Sequence, residues 1–362
     1  MSRIKALAEV VRSGGADAML LTGEVDLIYA TGVTALEGQC LIFPDETAVF
    51  VTDGRYIEYA EAVLAPQGFQ VVNRTQSESG IQMVGDILHQ RDVRRLMYED
   101  DVLTVKSFAA LRKHLEMDYV PVLDGITALR ACKSDEETVS VIKAQRIAEK
   151  ALDMLLPELK TGITERDAAA KLNYYMALLG SEKPSFETIL LFGENTSKPH
   201  GVPSDRALRP GDFVLCDFGA VVNGYHSDMT RTFAYASATD EMRTVYETVL
   251  AAQMAARNAA VADALCSDMH FAAVKVIEDA GYGEYFTHAL GHSVGLEIHE
   301  MPVASPHCDR PLKAGVIMTD EPGIYLAGKF GVRIEDMLLI TDGAAENLTE
   351  YPKEFRILPE QG

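Results

Sequence analysis

Residues 212–235 read DFVLCDFGAVVNGYHSDMTRTFAY. Apolar and β-branched residues dominate the stretch, so it reads as sheet. It nevertheless carries Asp217 and Asp228, followed by Thr230, Arg231 and Thr232. Asn223-Gly224 marks a hairpin, because a type I′ turn needs positive φ at both central residues. With that turn, Val222 pairs with Tyr225, Asp228 with Gly219 and Asp217 with Thr230. Side chains alternate faces along a strand, so the two aspartates become diagonal neighbours, about 7–8 Å apart at the backbone. Like charges held that near each other repel unless a cation lies between them. The hairpin alone leaves two readings open, a metal site and a pair of exposed acids.

The rest of the chain narrows the classes available. It has 362 residues, with 33 Lys and Arg against 54 Asp and Glu, a formal net charge of −21. That length suggests two domains. The acidity disfavours nucleic acid as a partner, since phosphate backbones would be repelled. The five cysteines (Cys40, Cys132, Cys216, Cys266 and Cys308) are scattered and form no CxxC or CxxH pair. Reduced thiols fit this pattern better than a disulfide framework. The opening MSRIKALAEVVRSGG reads as an amphipathic helix, capped by Ser2 and stopped at Gly14-Gly15, and not as a signal peptide. No apolar run approaches the roughly 20 residues that span a bilayer. The expectation is a cytoplasmic protein without a membrane partner.

Residues 1–125 alternate short strands and helices, which suggests helices packed on a mixed sheet. His89 and His114 fall on helices there, without a ligand partner nearby. A boundary is expected near Asp124-Gly125, giving domains 1–125 and 126–362. Ser134 then caps a long helix over about 135–159, with acids in its first turn. A second helix covers about 164–180, and two more cover about 238–260 and 267–280. Strands and helices are grouped in this half, which therefore reads as α+β.

Further acids and histidines lie near the C-terminus. HALGHSVGLEIHE (288–300) holds His288, His292 and His299; TDEPG (319–323) holds Glu321; GVRIEDM (331–337) holds Arg333 and Glu335. A glutamate within apolar, strand-like surroundings is costly unless paired or bound to metal. His299-Glu300 is not an HExxH zinc motif, because no second histidine follows at the required spacing. Asp217-Phe218-Gly219 spells the protein-kinase DFG triplet by chance, since the HRD loop, VAIK strand and glycine-rich loop are missing.

With these residues in view, nearly the whole chain resembles the creatinase and methionine-aminopeptidase superfamily, whose catalytic domain is the pita-bread fold. The nearest likeness is to its proline-directed branch, Xaa-Pro aminopeptidase and Xaa-Pro dipeptidase. TGEVDLIYATG, VTDGRY and LRACKSDEET look like the smaller creatinase-type α/β N-terminal domain and the entry to the second domain. The resemblance implies two divalent metals on five ligands: Asp217, Asp228, His292, Glu321 and Glu335. The eleven-residue step between the aspartates and the twenty-nine from His292 to Glu321 agree with the family pattern. It implies catalytic roles for His200, His299 and Glu321, with Glu321 moving a proton towards the leaving nitrogen. It also implies substrate contacts for His200, His288, His299 and Arg333. His226, His270 and His307 are left as structural or surface residues. Ser293 departs from the family pattern, standing where glycine is common.

A donor set rich in carboxylates suits harder ions than a thiolate site does. The resemblance implies manganese first, with cobalt or zinc as alternatives. The substrate it implies is a small peptide with proline in second position. A bond to proline is a tertiary amide without N–H, so it needs a dedicated pocket. The leading expectation is an Xaa-Pro aminopeptidase, with an Xaa-Pro dipeptidase (prolidase) as the alternative. Creatinase-like hydrolysis without metal, a non-enzymatic peptide-binding protein and a methionine aminopeptidase rank lower. A homodimer is expected, with the loop around Tyr29–Thr34 as the segment that borders the partner's site.

Overall fold

The computed structural model describes residues 2–75 and 79–361. The chain divides into two compact units, one ending at Arg130 and the other beginning at Ala131. The first extends past the expected Asp124-Gly125 junction because a helix, Gly125–Ala131, starts there.

The first unit is a six-stranded mixed sheet. Its order is Phe69–Arg74, Ala48–Asp53, Gln39–Ile42, Ala18–Leu21, Arg95–Tyr98 and Asp118–Pro121. The strands on either side of Gln39–Ile42 run antiparallel to it, and the other neighbours pair in parallel. The first helix, Arg3–Ser13, starts with the Ser2 hydroxyl accepting from Lys5 N and stops at Gly14, as its sequence indicates. The segment Glu24–Thr31 differs from expectation. Tyr29 to Thr31 are the buried last turn of a helix closed by Gly32 at φ 73°, not part of a loop. That short, Val- and Ile-containing run has weak intrinsic helicity, and burial of its apolar side decides its conformation.

The second unit contains two larger sheets, each backed by a pair of helices, and two two-stranded ribbons. One sheet has the order Ile357–Leu358, Met229–Tyr235, Phe213–Phe218 and Ile189–Phe192. Helices Asp135–Leu155 and Glu165–Leu178 pack on it through Ala148, Leu152, Leu172, Cys216 and Phe218. The first of these helices begins with a capping box between Ser134 and Glu137. The other sheet has the order Glu300–Ala304, Gly291–Ser293, Ile317–Asp320, Asp336–Leu339 and Glu346–Asn347. Helices Asp240–Ala259 and Cys266–Asp279 cover it through Val245, Val249, Met269 and Ala273. A two-stranded ribbon, Gly323–Leu326 with Phe330–Arg333, leaves this sheet and returns to it.

Candidate metal centre and active site

The opening hairpin adopts the register its turn dictates. Val222 pairs with Tyr225, and Asp217 with Thr230. Asn223 and Gly224 have φ of 53° and 77°, the two positive values a type I′ turn needs. The Asp228–Gly219 position falls in a break between the two ladders, across which the register is unchanged. A Cβ on Gly219 would lie 1.8 Å from the Ser227 carbonyl oxygen, so only glycine lets the strands close there.

Alternation then sorts the strand. Cys216 and Phe218 enter the core under the helices, which turns Asp217 to the opposite face. Asp217, Asp228 and Glu335 are buried, and each brings one carboxylate oxygen within 4.8 Å of the others. Glu321 and Glu335 do not lie within strands, as their apolar neighbours suggested. Both fall at the short breaks where the chain leaves the five-stranded sheet for the ribbon and where it returns. Across each break the alternation persists, with Thr319 on the side of Glu321 and Arg333 on the side of Glu335.

His292 completes the set. Its Nε2 lies 3.4 Å from Glu321 Oε1 and 3.7 Å from Asp228 Oδ2. Its Nδ1 is 3.2 Å from the Ser293 carbonyl, which places the proton there and leaves the Nε2 lone pair facing the acids. Thr319 Oγ1 accepts from His292 N and donates to Glu321 Oε1, so one hydroxyl aligns both residues.

Thr230, Arg231 and Thr232 bind the hairpin to the returning strand. Thr230 Oγ1 donates to Glu335 Oε2 at 2.7 Å, and Thr232 Oγ1 donates to the Arg333 carbonyl at 2.9 Å. Arg231 donates to the Glu335 carbonyl at 2.6 Å and to Asp336 Oδ1 at 2.8 Å. Glu335 and Asp336 therefore face opposite ways. Asp336 meets Arg231 and Lys353, which hold its carboxyl below its usual range although burial alone would raise it. Glu335 faces the acids and is raised well above its usual value by burial and by Asp228, Glu321 and Asp217. Asp228 is raised for the same reasons, burial first and then Asp217 and Glu321. Burial pushes Glu321 up to about 8 despite the opposing charge of Arg333.

These residues fit divalent cations. Asp217 Oδ1, Asp228 Oδ1 and Glu335 Oε1 are buried acceptors without a hydrogen-bond partner among the described residues. Unpaired buried carboxylate oxygens are costly unless a cation meets them. Four carboxylates and one imidazole form an oxygen-rich donor set of the kind that harder divalent ions take.

The cluster opens into a cavity of about 610 Å³. Ile189, Pro199, Ile298 and Val303 supply apolar walls. His200 and His299 line it as exposed rings, with His299 edge-on to His292 at a centroid distance of 4.3 Å. His288 also lines it, and burial, with Arg333 nearby, lowers its pKa to about 4, so the ring is neutral. Arg333 reaches the wall, but its guanidinium is committed to the Asp217 carboxylate, Tyr325 Oη and Thr230 Oγ1.

Two participants escaped the reading of the sequence. Tyr325 Oη accepts from Arg333 Nη1 at 2.8 Å and lies 2.9 Å from His288 Nε2, linking both to Asp217. Lys133 is buried and donates to Glu300 Oε2 at 2.8 Å and to Ser293 Oγ at 3.2 Å. Ser293, the departure from glycine, thus faces Lys133. The other oxygen of Glu300 accepts from Leu296 N and Glu297 N, bracing the turn between His292 and His299. The KSDEE stretch signals a helix start and carries no hint of that second role for its lysine.

Residues 140–342 match the metallopeptidase family M24, and residues 3–132 match the creatinase/prolidase N-terminal domain. The chain is 35% identical over 354 residues to the Xaa-Pro dipeptidase of Pyrococcus furiosus, covering 98% of this chain and 99% of that one. A solved Xaa-Pro dipeptidase from Bacillus anthracis is similar at a TM-score of 0.93 and 34% identity, over 98% of this chain and 99% of the other. An X-Pro aminopeptidase from Thermotoga maritima is similar at a TM-score of 0.91 and 30% identity, over 96% and 99%. The architecture is the expected one, a creatinase-type N-terminal domain ahead of a pita-bread catalytic domain.

Proposed function

Since the chain belongs to the metallopeptidase family M24 and is a metallo-exopeptidase, we infer that it is an Xaa-Pro dipeptidase. This corrects the order of the two expectations, which put the aminopeptidase first. The reading is carried by likeness over the full length to proteins named Xaa-Pro dipeptidase, at 35% and 34% identity. The Thermotoga maritima structure keeps the aminopeptidase as the second reading.

Asp217, Asp228, His292, Glu321 and Glu335 would hold two divalent ions, with manganese favoured by the carboxylate-rich donors. Such ions supply Lewis acidity to a scissile carbonyl and lower the pKa of a water. The protein's own groups do the rest. His200 and His299, exposed in the cavity, donate N–H to the oxygen that gains charge as the carbonyl is attacked. Glu321 takes the proton of the attacking water and delivers it to the proline nitrogen, which must gain a proton to leave. Ile189, Pro199, Ile298 and Val303 offer the apolar walls that a proline ring needs. His288 acts indirectly, holding Tyr325 and through it Arg333.

No helix among the described residues is long and apolar enough to cross a membrane. All five cysteines are free, which supports a cytoplasmic setting. The homodimer belongs to the same reading and is measured by analytical ultracentrifugation. The deciding experiment compares manganese-loaded hydrolysis of Ala-Pro and Ala-Pro-Ala, before and after chelation. Metal-dependent preference for Ala-Pro is expected. Preference for Ala-Pro-Ala would establish the aminopeptidase, and cleavage of neither would refute both readings.

A further inference from the structure

We propose that Glu187 selects the residue ahead of proline, favouring dipeptides whose first side chain is cationic; this rests on the dipeptidase reading above. Five acidic residues line the cavity, and four of them form the proposed metal set. Glu187 is the remaining one. It is exposed, with no hydrogen bond or ion pair among the described residues. The one arginine in the lining, Arg333, cannot neutralise it, since its guanidinium is bound to Asp217, Tyr325 and Thr230. Glu187 therefore adds an uncompensated negative charge to the cavity.

Its position follows from the strand beside it. Ile189 lies directly opposite Asp217 in the antiparallel ladder. Directly opposed residues share a face and lie about 5 Å apart at Cα. Two residues of extended chain span at most about 7 Å. Glu187 thus lies within about 12 Å of Asp217 at Cα, at the exposed side of the cavity whose buried carboxylates include Asp217.

A dipeptide can present charge to it in three places. Repulsion bars the C-terminal carboxylate. The α-ammonium is two bonds from the scissile carbonyl carbon, so it stays at the floor of the cavity with the reacting group. The first side chain remains, and a lysine or arginine is long enough to reach from the floor to the rim. A glutamate in that place would be repelled.

The test measures kcat/KM of the manganese-loaded protein for Lys-Pro, Ala-Pro and Glu-Pro. A Lys-Pro over Glu-Pro preference on the order of tenfold is expected for an exposed charge pair set against its repulsive counterpart. It should shrink as salt is added. Glu187→Gln should bring the ratio towards one, and Glu187→Lys should invert it. Calorimetric binding of Lys-Pro and Glu-Pro to the chelated, inactive protein should follow the same order. A Lys-Pro to Glu-Pro ratio unchanged by both substitutions, with Ala-Pro still cleaved by the wild-type protein, overturns the role of Glu187 alone. Failure of the wild-type protein to cleave any of the three dipeptides overturns the dipeptidase reading, and this proposal with it.

Discussion

Lys133→Met tests whether the buried Lys133–Glu300 pair holds the turn that carries His292 and His299. The side chains are 1% and 3% exposed, with Nζ and Oε2 2.8 Å apart. At that separation the direct attraction is about 6 kcal/mol for an effective dielectric of about 20. Removing the lysine also removes the cost of burying it, so the net loss is smaller. Breaking a buried pair from one side typically costs about 3–5 kcal/mol, because the other charge stays behind. Here the carboxylate keeps its bonds from Leu296 N and Glu297 N, which places the loss near the lower end, about 3 kcal/mol. For a unit of this size that corresponds to a melting point lowered by about 6 °C. Differential scanning calorimetry measures it. The Lys133→Met/Glu300→Met double variant should recover at least half of the loss, since no charge is then stranded. Metal-loaded kcat/KM of Lys133→Met should fall by about ten- to a hundredfold as the two histidines lose their alignment. A melting point within about 1 °C of wild type, or a double variant no more stable than the single one, would refute the reasoning.

Three further outcomes are expected. Asp228→Asn should lower bound manganese, measured by plasma mass spectrometry, and abolish cleavage, while raising the melting point of the chelated protein because one of the mutually repelling buried carboxylates is gone. Tyr325→Phe should leave Arg333 Nη1 and His288 Nε2 without the hydroxyl between them; a loss of about 2 kcal/mol in denaturant unfolding is expected, and an unchanged midpoint would count against the network. In the first unit, burial pushes Glu99 up to about 7 from an ordinary 4.5, although Thr22 and Gly23 donate to it. Its folded value is raised, by burial and by the neighbouring Asp26, so its contribution to stability is complete below about pH 4.5 and is lost as pH rises through about 7. Hydrogen exchange over residues 18–31 and 95–99, corrected for intrinsic rates, should show this slope in wild type and its loss in Glu99→Gln.

What the sequence by itself determined is local or tied to residue type. Asn223-Gly224 set the hairpin register, since a type I′ turn admits few other residues. The alternation of the strands then put Asp217 and Asp228 on one face. Ser2 and Ser134 started their helices through hydroxyls that bond three residues ahead. The likeness to a family pointed to His292, Glu321 and Glu335 as the further expected donors; in the structure Glu335 clusters with the two aspartates, His292 lies beside Asp228 and Glu321, and all five line one cavity. The second half of the site was decided by tertiary structure. Lys133 and Glu300 are 167 residues apart, Thr230 and Glu335 are 105, and Arg333 and Asp217 are 116. Dihedral preference and side-chain alternation extend only a few residues along the chain. Which threonine orients which glutamate depends on how two sheets, each built on its own pair of helices, close on each other. The same holds for Glu321 and Glu335, whose apolar neighbours read as strand. The structure puts them at the two breaks where the ribbon leaves the sheet and returns to it, each on the same side as the residue two before it, Thr319 and Arg333.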